Sequence, residues 1–139
     1  MLDEGYIKYE SHWTPGPASH VTAAQDLEFW RRPLYEAQLI GEYKEHGIGY
    51  GNISVRRGSS GLFLISGTQT GHLPVTDERH YSLVTDCVIR ANTVRCSGPI
   101  QASSEAMTHA AIYALSGTIG AIVHAHSAEL WRRHLGKLP

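Results

Sequence analysis

Apolar and polar residues alternate in the middle of the chain with the period of a β-strand. Residues 50–56 alternate in this way, and residues 62–65 form a short, wholly apolar run after the glycine-containing turn at residues 58–61. Alternation with period two is the pattern of a half-buried strand, and a short apolar run bounded by turn residues is typical of a buried one. The two segments are therefore predicted to pair as a β-hairpin.

Further strands are predicted in the second half of the chain. Residues 81–90 favour one long or bent strand, Asn92 turns the chain, and residues 93–96 return beside it. Residues 121–126 form the last predicted strand, which is apolar at its start. The segment at residues 66–74 is rich in Gly, Thr and Ser and is expected to be a loop.

Three other segments carry helical periodicity. Residues 21–46 are predicted to be helical, and Pro33 predicts either a kink or a junction between two helices, with Gly47 as the C-cap. A second helix is expected over residues 103–115 and a third over residues 128–135. Helices that bracket a mostly antiparallel array of hairpins indicate an α/β layered domain.

The chain of 139 residues is long enough for one domain with a hydrophobic core. We place that domain at residues 21–139. Residues 1–20 are expected to be an irregular N-terminal segment, because Pro15-Gly16-Pro17 breaks any regular element there.

Composition narrows the class of protein. The 12 Lys and Arg residues balance 13 Asp and Glu residues, so the formal net charge is -1 and no basic field exists to hold a nucleic acid. Apolar stretches fall short of the roughly 20 residues of a membrane helix, and the acidic N-terminus lacks the apolar core of a signal peptide. Cys87 and Cys96 are expected to be reduced thiols of a cytoplasmic protein, unless adjacent strands bring them together.

The clearest chemical signal is His124-Ala125-His126 at the end of the last predicted strand. Residues two apart on a strand point to the same side, so both imidazoles should face one way. They could then bind one divalent ion through Zn–N bonds of roughly 2.0–2.1 Å. The alternative is a pair of polar residues at an exposed strand end, since an isolated HxH is common.

Glu105 follows Ser103 and Ser104 at the start of the helix that precedes this strand. Because the helix and the strand after it should run antiparallel side by side, the helix start and the strand end are expected at the same end of the domain. Glu105 would then lie beside the histidine pair as a general acid/base, next to an anion-binding helix start. Alternatively, the carboxylate only stabilises the helix dipole and the serines only cap the helix.

These residues belong to a longer series of motifs. In chain order the series is Gly51-Asn52-Ile53-Ser54, Ile65-Ser66, Thr70-Gly71, Ser103-Ser104-Glu105, His109 with Ile112-Tyr113, and His124-Ala125-His126. The series resembles the class II aldolase/adducin domain family over about residues 34–127. That family includes fuculose-phosphate aldolase, rhamnulose-phosphate aldolase, ribulose-phosphate 4-epimerase and methylthioribulose-phosphate dehydratase.

The resemblance implies a fold, a metal and a set of residue roles. The fold would be a three-layer α/β/α sandwich with a mixed, mostly antiparallel central sheet. His124 and His126 would bind a divalent metal, expected to be Zn2+, and Glu105 would be the catalytic acid/base. The pocket for the substrate phosphate would be lined by Asn52, Thr70, Gly71, Ser103 and Ser104. Members are commonly homotetramers with sites between subunits.

Two departures from the family pattern bear on the substrate and the metal. The loop at residues 66–71 is longer than the family's Ser/Thr-Pro-Ser/Thr-Gly and lacks its proline. The family's third metal histidine lies well beyond the HxH strand, whereas His134 follows too soon and is expected to be a surface residue. We therefore expect this sequence to be the N-terminal part of a longer protein that supplies the third ligand.

Three functional hypotheses follow. The first is a divalent-metal-dependent lyase that acts on a small sugar or sugar phosphate by enediolate stabilisation, as an aldolase, epimerase or dehydratase. We expect the full-length protein to be such an enzyme. The second is a non-catalytic, adducin-like binding or oligomerisation module. The third is a His-rich domain whose HxH is incidental, which the Ser-Ser-Glu helix start argues against.

Overall fold

The computed structural model describes residues 5–59 and 61–137, over which the chain forms a six-stranded sheet, a two-stranded sheet and three α-helices. The elements are β1 (Glu10–Pro15), α1 (Val21–Glu36), β2 (Gly41–Tyr43), β3 (Ile48–Tyr50), β4 (Asn52–Arg57), β5 (Leu62–Ser66), β6 (Tyr81–Val88), β7 (Thr93–Gly98), α2 (Ala106–Leu115), β8 (Ala121–His124) and α3 (Ala128–His134). None of the helices in these ranges has the length and apolarity needed to cross a bilayer.

The strands of the large sheet follow the order β1-β7-β6-β5-β4-β8. Neighbouring strands are antiparallel, except that β1 runs parallel to β7. The small sheet is the β2–β3 hairpin. The central sheet is therefore mixed and mostly antiparallel, as predicted.

Helices cover both faces of the large sheet, and the alternation along β5 shows how. Leu64 packs on one face against Leu27 of α1 and its neighbours. Phe63 and Ile65 belong to the core on the opposite face, which α2 completes with Ala106. A period of two along the strand sends consecutive apolar residues to opposite cores. The α/β fold is thereby confirmed, with helices on both sides of the sheet.

The hairpin, the long strand and its return are as the sequence predicts. β4 and β5 pair with Ser54 opposite Ile65. β6 has an irregularity in its register with β7 between Val84 and Asp86, and it ends at Val88, because Ile89–Ala91 form a 3-10 turn where the predicted strand continues to Arg90. Asn92 takes a left-handed conformation with a φ of 53° and leads into β7.

The helix predicted over residues 21–46 is too long. Pro33 lies in the last turn of a single helix that ends at Glu36, and Gln38 then adopts a positive φ of 60°, which a right-handed helix cannot contain. The chain continues into the β2–β3 hairpin. Gly47, with a φ of 62°, lies in the turn of that hairpin and is not a helix C-cap.

The prediction of an irregular N-terminal segment is wrong for β1. This strand pairs with β7 from Glu10 to Pro15, and Trp13 Nε1 donates a hydrogen bond to Gly98 O at 3.0 Å. β1 is mostly exposed, so it lacks the apolar alternation by which the other strands were predicted. Residues 1–4 of the predicted segment, and Ser60 of the predicted hairpin turn, lie outside the described residues.

Cys87 and Cys96 are both free thiols, as predicted. Cys87 lies opposite Val94 in the β6–β7 pair, and Cys96 lies opposite Val84. Adjacent strands therefore do not bring the two sulfurs together.

Main-chain pairing brings the predicted site residues to one end of the sheet. β8 lies beside β4 with His124 opposite Asn52. The loop after β5 is joined to the segment before α2 by an antiparallel bridge between Gly67 and Ala102. The start of β4, the end of β8, the loop after β5 and the start of α2 therefore meet.

Candidate functional site

A narrow cleft lies where these four segments meet. Its volume is about 20 Å³, which is room for roughly one water molecule. The lining includes the residues predicted for catalysis and substrate binding together with one predicted metal ligand: Asn52, Thr70, Gly71, Ser103, Ser104, Glu105 and His124. Among the described residues that line the cleft there is no Lys or Arg. Its polarity comes from hydroxyl, amide and main-chain groups beside the Glu105 carboxylate.

Buried Arg31 fixes the loop that forms one wall of the cleft. Its Nη2 donates to Thr70 O at 3.1 Å and to Leu73 O at 2.8 Å, while Thr70 Oγ1 donates to Gly67 O at 2.9 Å. Burial lowers the pKa of the Arg31 guanidinium, although the Glu28 carboxylate is 3.9 Å away. A charged donor makes stronger hydrogen bonds than a neutral one, so the loop is firmly held.

Close main-chain packing requires glycine at two positions around the cleft. A Cβ on Gly71 would lie 2.2 Å from Gly41 O and 3.1 Å from Gly49 Cα. Gly51 joins β3 to β4 with a φ of 77°, and a Cβ there would lie 3.0 Å from His124 O. Glycine is the residue that tolerates both the positive φ and the close approach.

The two histidines face each other through the same ring nitrogen. His124 Nε2 and His126 Nε2 are 3.2 Å apart. The prediction that both lie on one strand is wrong in detail, because β8 ends at His124 and His126 N instead donates to Leu39 O at 2.9 Å. Two ligands of a tetrahedral zinc with Zn–N bonds of 2.0–2.1 Å would be about 3.3 Å apart. The pair therefore fits two of the four positions around a zinc ion.

The Nδ1 atoms of the pair have partners of their own. His124 Nδ1 lies 3.3 Å from Asn52 Nδ2, and His126 Nδ1 lies 3.0 Å from Tyr43 Oη. The Tyr50 ring stacks on the His126 ring with centroids 5.2 Å apart. Partners of this kind orient the imidazoles of metal sites, so both rings are held with Nε2 toward each other.

Glu105 lies at the N-cap of α2 and near the histidine pair. Ser103 Oγ accepts a hydrogen bond from Glu105 N at 3.2 Å, and Thr108 Oγ1 donates to Glu105 Oε2 at 3.1 Å. Burial lowers the pKa of His126, and the Glu105 carboxylate is close enough to oppose that shift. The helix begins at Ala106, later than predicted, so Ser103 supports the turn before the helix.

A second, larger cleft adjoins the first and shares His124 and Tyr50 with it. Its volume is about 610 Å³, which is within the range of small-molecule sites. Tyr43, His126 and Trp131 are among its lining residues. The sequence does not predict that Tyr43 lines this cleft, because residues 21–46 are predicted to be helical. The structure instead places Tyr43 in β2. A ligand at the histidine pair would have ample room on one side and little on the other.

Three buried residues near the site belong to the motif series but had no predicted role. Ser54 Oγ is 2.7 Å from His109 Nδ1 and 2.8 Å from Tyr113 Oη. A signal for them is present in the sequence. Ser54 shares a strand face with Asn52, and His109 and Tyr113 are four residues apart on one helix face.

The site contains two imidazole nitrogens that face each other, His124 Nε2 and His126 Nε2. Within residues 5–59 and 61–137, no group of three or more His, Cys, Asp or Glu side chains is placed to hold a metal ion. His134 lies on α3 and is exposed.

Comparison with known proteins shows the family. Residues 34–131, more than half of the chain, match the model of the class II aldolase and adducin N-terminal domain. The chain therefore belongs to the class II aldolase/adducin family, and the resemblance predicted from its motifs is confirmed. A search of curated proteins finds no match. Members of this family are typically metal-dependent.

Proposed function

We propose that this domain carries the metal-binding and acid/base part of a divalent-metal-dependent lyase for a small sugar or sugar phosphate. The reaction would be of the aldolase, epimerase or dehydratase type. His124 and His126 would hold the metal, expected to be zinc, and Glu105 would move the proton. The observation that carries the proposal is the 3.2 Å separation of the two Nε2 atoms. When bound, the metal supplies a Lewis acid that polarises a carbonyl and stabilises an enediolate.

Glu105 is the group best suited to proton transfer. A general base has to be held within reach of the proton that it removes. Thr108 restrains the carboxylate by donating to Oε2 at 3.1 Å, and the N-terminus of α2 favours negative charge there. Glu105 would take a proton from the carbon beside the substrate carbonyl and return it to the product.

The two clefts support a particular placement of the substrate. Substrate oxygens would enter the narrow cleft, whose donors are hydroxyl and main-chain groups of Thr70, Gly71, Ser103 and Ser104. Asn52 would add its second Nδ2 hydrogen, since its other amide contacts are to His109 and His124. The rest of the molecule would occupy the larger cleft. A phosphate, if present, would be bound by neutral donors.

A second candidate function follows from the ligand set. Among the residues that the structure describes, no third ligand joins the histidine pair, and catalytic zinc usually has three protein ligands. An adducin-like module for binding or oligomerisation would keep this fold without metal. Zinc binding separates the two candidates.

Assembly and location are further parts of the proposal. Family membership favours a homo-oligomer, for which we expect a tetramer, and a small-molecule substrate. The cytoplasm stays the predicted location.

Zinc titration of the full-length protein tests the proposal. At about pH 7.5, where imidazoles are mostly neutral, calorimetry should show one bound equivalent of Zn2+. His124→Ala and His126→Ala should each weaken binding at least about tenfold, because even outer-shell partners contribute that much. His134→Ala, on exposed α3, is the matched control and should bind zinc like the wild type. Binding of less than about a tenth of an equivalent by the wild type would favour the non-catalytic module.

The role of Glu105 is measured separately on the zinc-loaded protein. In D2O, the zinc-loaded wild type should catalyse the replacement of the hydrogens next to the carbonyl of dihydroxyacetone, or of its phosphate, by deuterium. Glu105→Gln should keep the zinc but slow the exchange by about 10²–10⁴-fold, which is the usual contribution of a general base. Undiminished exchange in the zinc-loaded variant would assign the proton transfer to another group. The comparison of the two ketoses decides whether phosphate is recognised.

A further inference from the structure

One side chain of the loop after β5, that of Gln69, joins the N-terminal segment to β3 at the edge of the narrow cleft. Gln69 Nε2 donates a hydrogen bond to Gly5 O at 2.7 Å, and Gln69 Oε1 accepts one from Gly49 N at 3.4 Å. All three residues line the narrow cleft, and Gln69 is exposed, so it lies on the solvent side of the cleft. The segment that precedes β1 is thereby held as part of the cleft wall.

The backbone of Gln69 adopts a conformation that glycine would suit better. Its φ is 57°, in the left-handed region that side chains with a Cβ rarely occupy. Non-glycine residues kept in this region cost free energy and are concentrated at ligand sites and clamps. What glutamine provides here, and glycine would not, is the amide that contacts Gly5 and Gly49. The side chain of Gln69 is therefore a candidate for a role in the cleft.

The size of the narrow cleft limits what can enter it. With Gly5 and Gln69 in its wall, the cleft has a volume of about 20 Å³, which is room for roughly one water molecule. A substrate hydroxyl or carbonyl oxygen is of this size. A phosphate group has three terminal oxygens around its phosphorus and needs several times that space. The cleft therefore fits a hydroxyl group and not a phosphate.

The charges of both clefts also disfavour a phosphate. Glu105 lines the narrow cleft, and its carboxylate would repel a second anion nearby. The larger cleft is lined by aromatic side chains, including Tyr43 and Trp131, and the described part of its wall has neither Lys nor Arg. Burial of an anion without a cationic partner is costly. A phosphate is therefore poorly matched to either end of the site.

We propose that the substrate is an unphosphorylated hydroxycarbonyl compound, such as a free ketose, and that Gln69 is a specificity-determining residue that narrows the cleft against phosphate. This inference rests on the proposed function and narrows its substrate class. If Gln69 only fastened the N-terminal segment, its loss would affect phosphorylated and unphosphorylated substrates alike.

Hydrogen exchange in D2O by the zinc-loaded full-length protein tests the inference. The wild type should act on dihydroxyacetone with a kcat/KM at least about tenfold above that for dihydroxyacetone phosphate, which is the discrimination expected of a pocket that is too small. Gln69→Gly suits the left-handed backbone and opens the cleft. It should raise kcat/KM for the phosphate about tenfold, chiefly through a lower KM, and leave the value for dihydroxyacetone within about threefold.

Asn92→Gly is the matched control. Asn92 is also exposed and left-handed, with a φ of 53°, and its Nδ2 donates to Lys8 O of the same N-terminal segment at 2.9 Å. It lines neither cleft. Its replacement therefore loosens the N-terminal segment without opening the site, and the ratio of the two kcat/KM values should stay that of the wild type. Glycine suits both positions, so thermal unfolding should show that both variants are folded.

Equal kcat/KM values for the two ketoses in the wild type, or a preference for the phosphate, would overturn the inference and leave the proposed function intact. An unchanged ratio in Gln69→Gly, or the same change in Asn92→Gly, would overturn the role of Gln69. Absence of exchange with both ketoses would overturn the proposed function and this inference together.

Discussion

His109 is the ionisable residue near the site whose protonation is most altered by burial. It is 1% exposed, and burial, with a smaller contribution from His124, lowers its pKa to about 4. The ordinary histidine pKa is about 6.5, so between these two values the unfolded chain binds more protons than the folded one. The stability that comes from neutral His109 is therefore fully present above pH 6.5 and is lost as the pH falls toward 4.

Urea unfolding in the presence of a chelator measures this effect. From pH 7 to pH 5 the free energy of unfolding should fall by about 2 kcal/mol through His109 alone. His109→Gln keeps a side chain that can donate and accept but cannot titrate, so its stability should fall less over the same range. His20 and His126, whose pKa values burial also lowers, contribute equally to both proteins. The same pH slope in both proteins would contradict the assignment to His109.

Individual site residues were predictable to different degrees. Glu105 and His124 follow from a helix start and a strand end, which local patterns reveal. The role of His109 could not be predicted in this way, because it depends on burial between α2 and β4. It also depends on hydrogen bonds to Ser54 and Asn52, which are 55 and 57 positions away in the sequence. The place of Tyr43 in the site could not be predicted for the same reason, since its contact with His126 joins residues 83 positions apart.

Among the secondary-structure elements, α2 is anchored at its C-terminal end by one side chain of β4. Arg56 Nη2 donates to Tyr113 O and Ser116 O, both at 2.8 Å, and its Nε donates to Ile119 O at 2.7 Å. The guanidinium also lies over the Tyr113 ring, 4.7 Å from its centroid. The last carbonyls of a helix have no partner within the helix, so Arg56 satisfies groups that would otherwise need water.

Replacement of this side chain should cost stability. Arg56→Ala leaves three carbonyls without their charged donor, and the free energy of unfolding should fall by about 2–3 kcal/mol. Arg57→Ala, the exposed neighbour, is the matched control and should change it by less than about 0.5 kcal/mol. Denaturant midpoints of the two variants give the comparison. A similar loss in both would mean that charge, rather than these hydrogen bonds, stabilises this end of the sheet.

The strands whose residues alternate between apolar and polar, or are wholly apolar, could be predicted from the sequence, whereas elements without such a pattern could not. β4, β5, β6 and β7 alternate or are wholly apolar, so residue order was enough to place them. The end of α1 depends on the left-handed conformation of Gln38, a residue type that gives no signal for it. β1 depends on an edge of β7 that exists only once the sheet has formed.

At the scale of the whole molecule, the small sheet and the loop that forms one wall of the narrow cleft meet at three glycines. Gly41 belongs to β2 and Gly49 to β3, and both approach the main chain of Gly71 in the loop after β5. Any side chain at Gly71 would push the small sheet away from the cleft. The position of the small sheet, and with it Tyr43 and Tyr50, therefore depends on this contact.

Gly71→Ala tests how rigidly the loop after β5 is packed against β2. A Cβ 2.2 Å from a main-chain oxygen has to displace backbone, so the free energy of unfolding should fall by about 1–3 kcal/mol. Gly117→Ala adds a Cβ with nothing within 4 Å and should leave stability unchanged or slightly higher. Thermal or urea unfolding compares the pair. Equal stability of the two variants would show that the loop moves freely away from β2.

β1 also limits the order in which these parts can come together. Its residues pair with partners about 80 positions later, whereas paired residues of the β4–β5 hairpin are about ten apart. Closing the longer loop from an open chain costs about 2 kcal/mol more entropy, because the cost grows with the logarithm of loop length. Prior pairing of β6 with β7 builds the edge that β1 joins, and local contacts form faster than distant ones. The N-terminal strand is thus a late addition to a sheet that the rest of the chain begins.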